Sequence, residues 1–116
     1  MVTLHMLTNF EAIQHFTFST PPQSFHQSYH YLFAMSKGRV LVIAGSDSSG
    51  GAGLEADQKV IAAHGCYAMT ATTALTAQNT LGVEDIHYTP PAFVQKLIHA
   101  CISDVGVDVV KTGISP

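Results

Sequence analysis

The sequence predicts an α/β domain built on a mainly parallel sheet with flanking helices, and three features carry that prediction. From Arg39 onward, strand-like and helix-like stretches alternate in the order β α β β α β, the pattern of strands joined by crossover helices. Arg39 to Ala44 is a Val/Ile-rich run that leads into a loop dense in Gly and Ser and then into a helix, as a strand buried on both faces does. Between Ala92 and Val105 the apolar residues Val94, Leu97, Ile98, Cys101 and Val105 recur at helical spacing, which marks one buried stripe.

Composition sets the outer limits. A chain of 116 residues, 47% hydrophobic, supports one domain with a core of ordinary size. The net charge of -3 and the scattered Lys37, Arg39, Lys59, Lys96 and Lys111 argue against a nucleic-acid partner. No apolar run approaches the roughly 18 residues of a membrane span, so no membrane partner is expected. Cys66 and Cys101 have no paired spacing. They fit thiols packed as small apolar groups in a reducing, cytoplasmic setting rather than a metal or redox pair.

Residues 1–36 are expected to form a poorly ordered extension, with the domain occupying 37–116. The first 36 residues hold no Lys or Arg, one acid (Glu11), five of the six Phe, and a turn-rich STPPQS at Ser19 to Ser24. That composition fits neither a secretory signal nor a mitochondrial presequence. His5, His15, His26 and His30 are spaced too irregularly to build a ligand set. Met35, standing just ahead of the first strand, resembles a start of translation, so residues 1–34 are expected to come from an upstream start or from the choice of gene boundaries.

Each element of the domain has its own justification. Leu54 to His64 combines good helix formers, with Leu54, Val60, Ile61 and His64 near one face, acids Glu55 and Asp57 in the first turn, and Gly65 as the stop. Tyr67 to Leu75 mixes β-branched and small residues without charge, as an interior strand does, and a polar loop from Thr76 to Gly82 is expected after it. Val83 to Tyr88 reads as a short edge strand, Pro90-Pro91 opens the second helix, and Val107 to Lys111 is a further short strand.

Ligands of such sheets bind beyond the carboxyl ends of the strands, where Gly45 to Gly53, Thr76 to Gly82 and Thr112 to Ser115 would lie. The first loop is not a P-loop, because Gly51-Ala52 follows Gly50 where Lys-Ser or Lys-Thr is required. Gly51 to Ala56 matches the dinucleotide fingerprint nominally, but no acid lies between Asp57 and Glu84 to hold a ribose. The GxSxG elbow of hydrolases is absent. What remains is a small-molecule loop whose backbone N–H groups could face a polar or anionic group, or a plain tight turn.

The strings AGSDSSGGAGLEAD, TALTAQNTLGV, PPAFV and DVGVDVVKTG, in that order between about Arg39 and Pro116, resemble the N-terminal part of the hydroxymethylpyrimidine/phosphomethylpyrimidine kinases of thiamine biosynthesis, members of the ribokinase-like superfamily. The resemblance implies ATP-dependent phosphorylation of 4-amino-5-hydroxymethyl-2-methylpyrimidine and of its monophosphate. It implies a pyrimidine pocket using Gly45, Ala52, Asp57, Thr76 and Gln78, with Ile114 where relatives carry Met. At Thr76 the family more often has an apolar residue. ATP and Mg are the implied cofactors. Their site and the catalytic group lie in the C-terminal half of the superfamily's fold, beyond the matched stretch. The chain is therefore expected to be a truncated ribokinase-like domain with no catalytic or metal-binding residue of its own, inactive alone, and associating with itself or a full-length relative. The alternatives are a non-catalytic remnant and a pyridoxal-kinase-like protein.

Overall fold

In the computed structural model, the described residues are 3–8, 12–17 and 35–113, with side chains described from 35 onward. The chain divides into two compact units, 1–31 and 32–116. In the first, β1 (Thr3–Thr8) and β2 (Ala12–Thr17) pair antiparallel, from Thr3 opposite Thr17 to Thr8 opposite Ala12. Sequence periodicity predicts no element here, although Thr, Ile and Phe favour extended backbone. Most of the stretch expected to be poorly ordered lies outside the described residues.

The second unit holds β3 (Arg39–Asp47), α1 (Gly53–Ala63), β4 (Tyr67–Asn79), β5 (Gly82–Tyr88), α2 (Pro91–Ala100), a π-helical turn (Cys101–Val105) and β6 (Val109–Thr112). The sheet order is β5-β4-β3-β6. β3 lies parallel to both β4 and β6, and only the β4–β5 hairpin is antiparallel. A mainly parallel α/β sheet with flanking helices is thus the observed architecture.

Two apolar layers sandwich the sheet. On one face Leu41, Met69 and Ala71 pack with Val94, Leu97, Ile98, Cys101 and Val105, so the predicted stripe faces the core, though each of its residues is half-buried rather than buried. Burial also raises the Cys101 thiol pKa, as befits an unreactive packed sulfur. On the other face Val42, Ala44 and Leu54 pack with Val40 and Ile61 of β3 and α1. Val60 and His64, expected on that stripe, are exposed, because α1 meets the sheet along a line narrower than its apolar composition suggests. Helix α1 ends in a Schellman motif: Gly65, at φ 74°, donates to Ala62 O, and Cys66 N donates to Ile61 O.

The two helices occupy opposite faces because of the strand order. The chain leaves β3 toward β4 through α1, then returns past β3 to β6 through α2, and right-handed crossovers in opposite directions place their helices on opposite faces. The carboxyl ends of β3 and β6 therefore flank a point where the winding reverses, which is where open α/β sheets hold ligands. The Gly-rich loop leaves β3 at that point.

Candidate functional site

The loop between β3 and α1 is shaped by two carboxylates that point inward. Asp47, only 4% exposed, accepts from Ser49 N (2.8 Å) and Ser49 Oγ (2.7 Å) through Oδ1, and from Gly51 N (3.0 Å) and Ala52 N (2.9 Å) through Oδ2. Led by the Ser49 hydroxyl, these bonds hold its pKa below the ordinary 3.8. Glu55 reaches back from the first turn of α1 to accept from Ser46 Oγ (2.6 Å) and Asp47 N (2.8 Å). Burial pushes Glu55 upward, but the bonds from Ser46 and from Asp47 N outweigh it and leave the group below 4.5.

The loop N–H groups at Ser49, Gly51 and Ala52 are thus already taken by a carboxylate of the protein. An anionic ligand would have to displace the Asp47 carboxylate to reach these three donors, and Asp47 and Glu55 would repel it. Lys59 Nζ, which donates to Gly50 O at 2.7 Å, closes the outer side of the loop.

Two glycines make the fold of this loop feasible. Gly45 sits at the β-bulge between Ala44 and Ser46. Gly53, at φ 56°, bridges antiparallel to Ser46 so closely that a Cβ there would lie 2.3 Å from Gly45 O.

The far wall is the end of β4, and here the sequence expectation needs correction. Thr76, Gln78 and Asn79 are strand residues rather than a loop, because β4 runs on to Asn79 and finds its ladder partner in β5, with Thr76 opposite Ile86 and Gln78 opposite Val83. A polar composition suggested a loop, but a strand needs only paired backbone. Asn79 Oδ1 closes the two-residue turn, accepting from Leu81 N (2.8 Å) and Gly82 N (3.2 Å).

Three of the predicted site residues, Ala52, Thr76 and Gln78, fall on one connected network, and Gly45 lies next to it. Thr76 Oγ1 donates to Ser46 O (2.8 Å) and lies 3.2 Å from Gln78 Oε1. Ser48 Oγ accepts from Gln78 N (2.7 Å) and donates to Gln78 O (2.8 Å). Ala52 is joined through Asp47, and Gly45 stands at the bulge beside Ala74 O. Asp57 stands apart from this network, half-buried and ion-paired with Lys111 of β6. Lys111 thus links β6 to α1. Ile114 and the rest of the third expected loop beyond Gly113 lie outside the described residues.

Sequence reasoning missed Asp47, Ser46 and Ser48, and it read Glu55 only as a dipole-complementing acid. The signals were present: Asp-Ser-Ser-Gly is a side-chain-closed turn pattern, and Glu at the third helical position commonly reaches back past the helix start.

Among the described residues no group of three His, Cys, Asp or Glu side chains is placed to hold a metal ion. The residues of this loop and its neighbours do not fit ATP and Mg either. The carboxylates of the loop are saturated by N–H and O–H donors, while Arg39, Lys59 and Lys111 are engaged by Asp108, Gly50 O and Asp57.

Comparison with known proteins identifies the family and the fold. The family described as phosphomethylpyrimidine kinase matches residues 47–115. A thiamine biosynthesis bifunctional protein of Geobacter sulfurreducens is 57% identical over 77 residues, which are 66% of this chain and 16% of that protein. The hydroxymethylpyrimidine/phosphomethylpyrimidine kinase of Mycobacterium tuberculosis is 53% identical over 79 residues, 68% of this chain and 29% of that one. Among solved structures, a phosphomethylpyrimidine kinase from Clostridium difficile superposes with a TM-score of 0.63 at 46% identity, covering 66% of this chain and 35% of the other. A pyridoxal kinase of Bacillus subtilis, in an ADP complex, gives 0.61 at 34% identity, covering 68% and 31%. The chain thus spans about a third or less of these relatives.

Proposed function

This chain belongs to the phosphomethylpyrimidine kinase family, and from that premise we propose that its β3–α1 loop and the end of β4 supply one wall of a pocket for hydroxymethylpyrimidine and its monophosphate. The family's activity is the phosphorylation of these pyrimidines in thiamine biosynthesis. In the proposal Gly45, Ala52, Thr76 and Gln78 line the wall, and Asp57 takes part only if a ligand draws it from Lys111.

The observation that carries this reading is Gln78, half-buried at the carboxyl edge of the sheet with its main chain fixed by Ser48 and its amide beside Thr76. An aminopyrimidine edge presents a donor amino group next to an acceptor ring nitrogen, and a Gln amide offers the complementary acceptor and donor in one plane. The two carboxylates of the loop, with three of its N–H groups held by Asp47, support a neutral ring over a phosphate on this side. The phosphate of a monophosphate substrate would then point away from Gly45 to Gly53.

The 116 residues alone are proposed not to transfer phosphate. That reaction rests on positioning and on charge stabilisation around the γ-phosphate, and the cations and loop N–H groups described above are already engaged. The chain's role is then either that of one part of a kinase or that of a non-catalytic binder that pairs with itself or with a full-length relative. Free Cys66 and Cys101 accord with a reducing, cytoplasmic location.

Calorimetric titration of the purified chain tests the pocket. Hydroxymethylpyrimidine is expected to bind, pyridoxal to bind more weakly, and Gln78→Leu to lose about tenfold or more in affinity. Pyridoxal binding as tightly would favour a pyridoxal-kinase-like site. Incubation with ATP is expected to give no phosphomethylpyrimidine, and product above a no-enzyme control refutes the inactivity.

A further inference from the structure

We propose that Ser48 and Thr76 are positioning residues that set the backbone and the amide orientation of Gln78, and so decide which hydrogen-bonding edge it offers. The proposal rests on the pyrimidine reading only for the identity of the ligand.

The backbone half of the argument begins at a bulge. The β4–β5 register shifts between Ala77 and Gln78, and a bulge re-aims the side chain at the irregular position. Ser48 steadies that point from the other side. Its single hydroxyl accepts from Gln78 N and donates to Gln78 O, at 2.7 and 2.8 Å, so an exposed serine on the β3–α1 loop holds both main-chain groups of one residue on β4. The loop's shape, fixed by Asp47 and Glu55, is thereby transmitted to Gln78.

The amide half follows from counting protons. Thr76 Oγ1 has one hydrogen, and its bond to Ser46 O at 2.8 Å is shorter than its 3.2 Å contact to the Gln78 amide. With that proton given to Ser46, the hydroxyl has only lone pairs to offer Gln78, and the stable arrangement turns the amide NH₂ toward Thr76. The amide oxygen and the remaining N–H then face outward together, one acceptor beside one donor. An apolar residue at 76 would remove this bias and leave the amide free to flip.

The test uses the ¹⁵N-labelled full chain and two kinds of readout. Without ligand, Ser48→Ala should speed exchange of the Gln78 main-chain N–H by about tenfold, with Ser48→Thr restoring protection. Thr76→Val should shift and broaden the Gln78 side-chain NH₂ resonances, with Thr76→Ser keeping them. The Arg39 Nε resonance at the opposite end of the sheet should stay put in all four, reporting an intact fold. With ligand, the affinity ratio between hydroxymethylpyrimidine and the same ring lacking its amino group should fall toward unity in Ser48→Ala and Thr76→Val, and neither should add to the loss in Gln78→Leu.

Unchanged exchange and NH₂ signals overturn the proposal. So does a ratio lowered by Gln78→Leu but untouched by the other two variants, a result that leaves the pyrimidine reading standing. If neither ring binds the wild-type chain while the ligand-free effects appear, the positioning holds and the pyrimidine reading fails.

Discussion

Each end of the sheet is pinned by an aspartate, but the two aspartates stabilise different things. At the amino end Asp108, just ahead of β6, accepts from Arg39 N (2.7 Å), Nε (2.9 Å) and Nη2 (2.8 Å), while Arg39 Nη1 donates to Val105 O at 2.8 Å. Those bonds, led by the one from the Arg39 side chain, hold Asp108 at about 2. Every partner there is another element of the fold, so the clamp is complete in itself. At the carboxyl end Asp47 binds the backbone of its own loop, and what it fixes is the shape from which Ser48 reaches the Gln78 main chain. Similar chemistry thus yields a clamp between elements at one end and, at the other, the fixed loop that the proposed pocket wall would use.

Glycine substitutions should separate the two ends most sharply. Gly53→Ala places a Cβ 2.3 Å from a backbone oxygen at φ 56°, so neither partner can yield, and a loss of about 3 kcal/mol is expected in denaturant unfolding. Gly106→Ala, at φ 78°, meets Arg39 Nη1 at 2.7 Å. That atom ends a flexible side chain, and the loss should be smaller, about 1 to 2 kcal/mol. Equal losses would show that the loop yields as easily as the clamp.

Acid should loosen both ends. Asp47, Glu55 and Asp108 all have folded pKa values below their ordinary 3.8, 4.5 and 3.8. Each therefore contributes stability above those values that is lost as pH falls through the lowered ones. Unfolding midpoints should be insensitive to these groups above about pH 5 and drop progressively below it. With Asp47→Asn and Asp108→Asn the drop should flatten, and only Asp47→Asn should also weaken pyrimidine binding.

The smallest effect is expected where the ends are joined along α1. The Asp57–Lys111 pair is half exposed on the lysine side, so Lys111→Met should cost only about 0.5 kcal/mol. If ligand affinity changes by more than that, Asp57 is a binding group, and if it does not, the pair is a structural tie.

Much of this organisation was legible in the residues. The Val/Ile run at Arg39, the five-residue stripe ending at Val105 and the glycine stop at 65 each reflect a local rule, burial on both faces, a 3.6-residue period or a left-handed cap, and each element formed where its rule applied. The motif order likewise identified the family. The sequence could not show that Thr76 to Asn79 continue as strand, because their backbone partner, Gly82 to Tyr88, makes them so. Nor could it show that Asp47 and Glu55 take the N–H groups of Asp47, Ser49, Gly51 and Ala52, or that Ser48 grips Gln78 thirty residues away. Those outcomes depend on which donors and acceptors are brought within about 3 Å, and only the packing of β3 between β4 and β6 decides that.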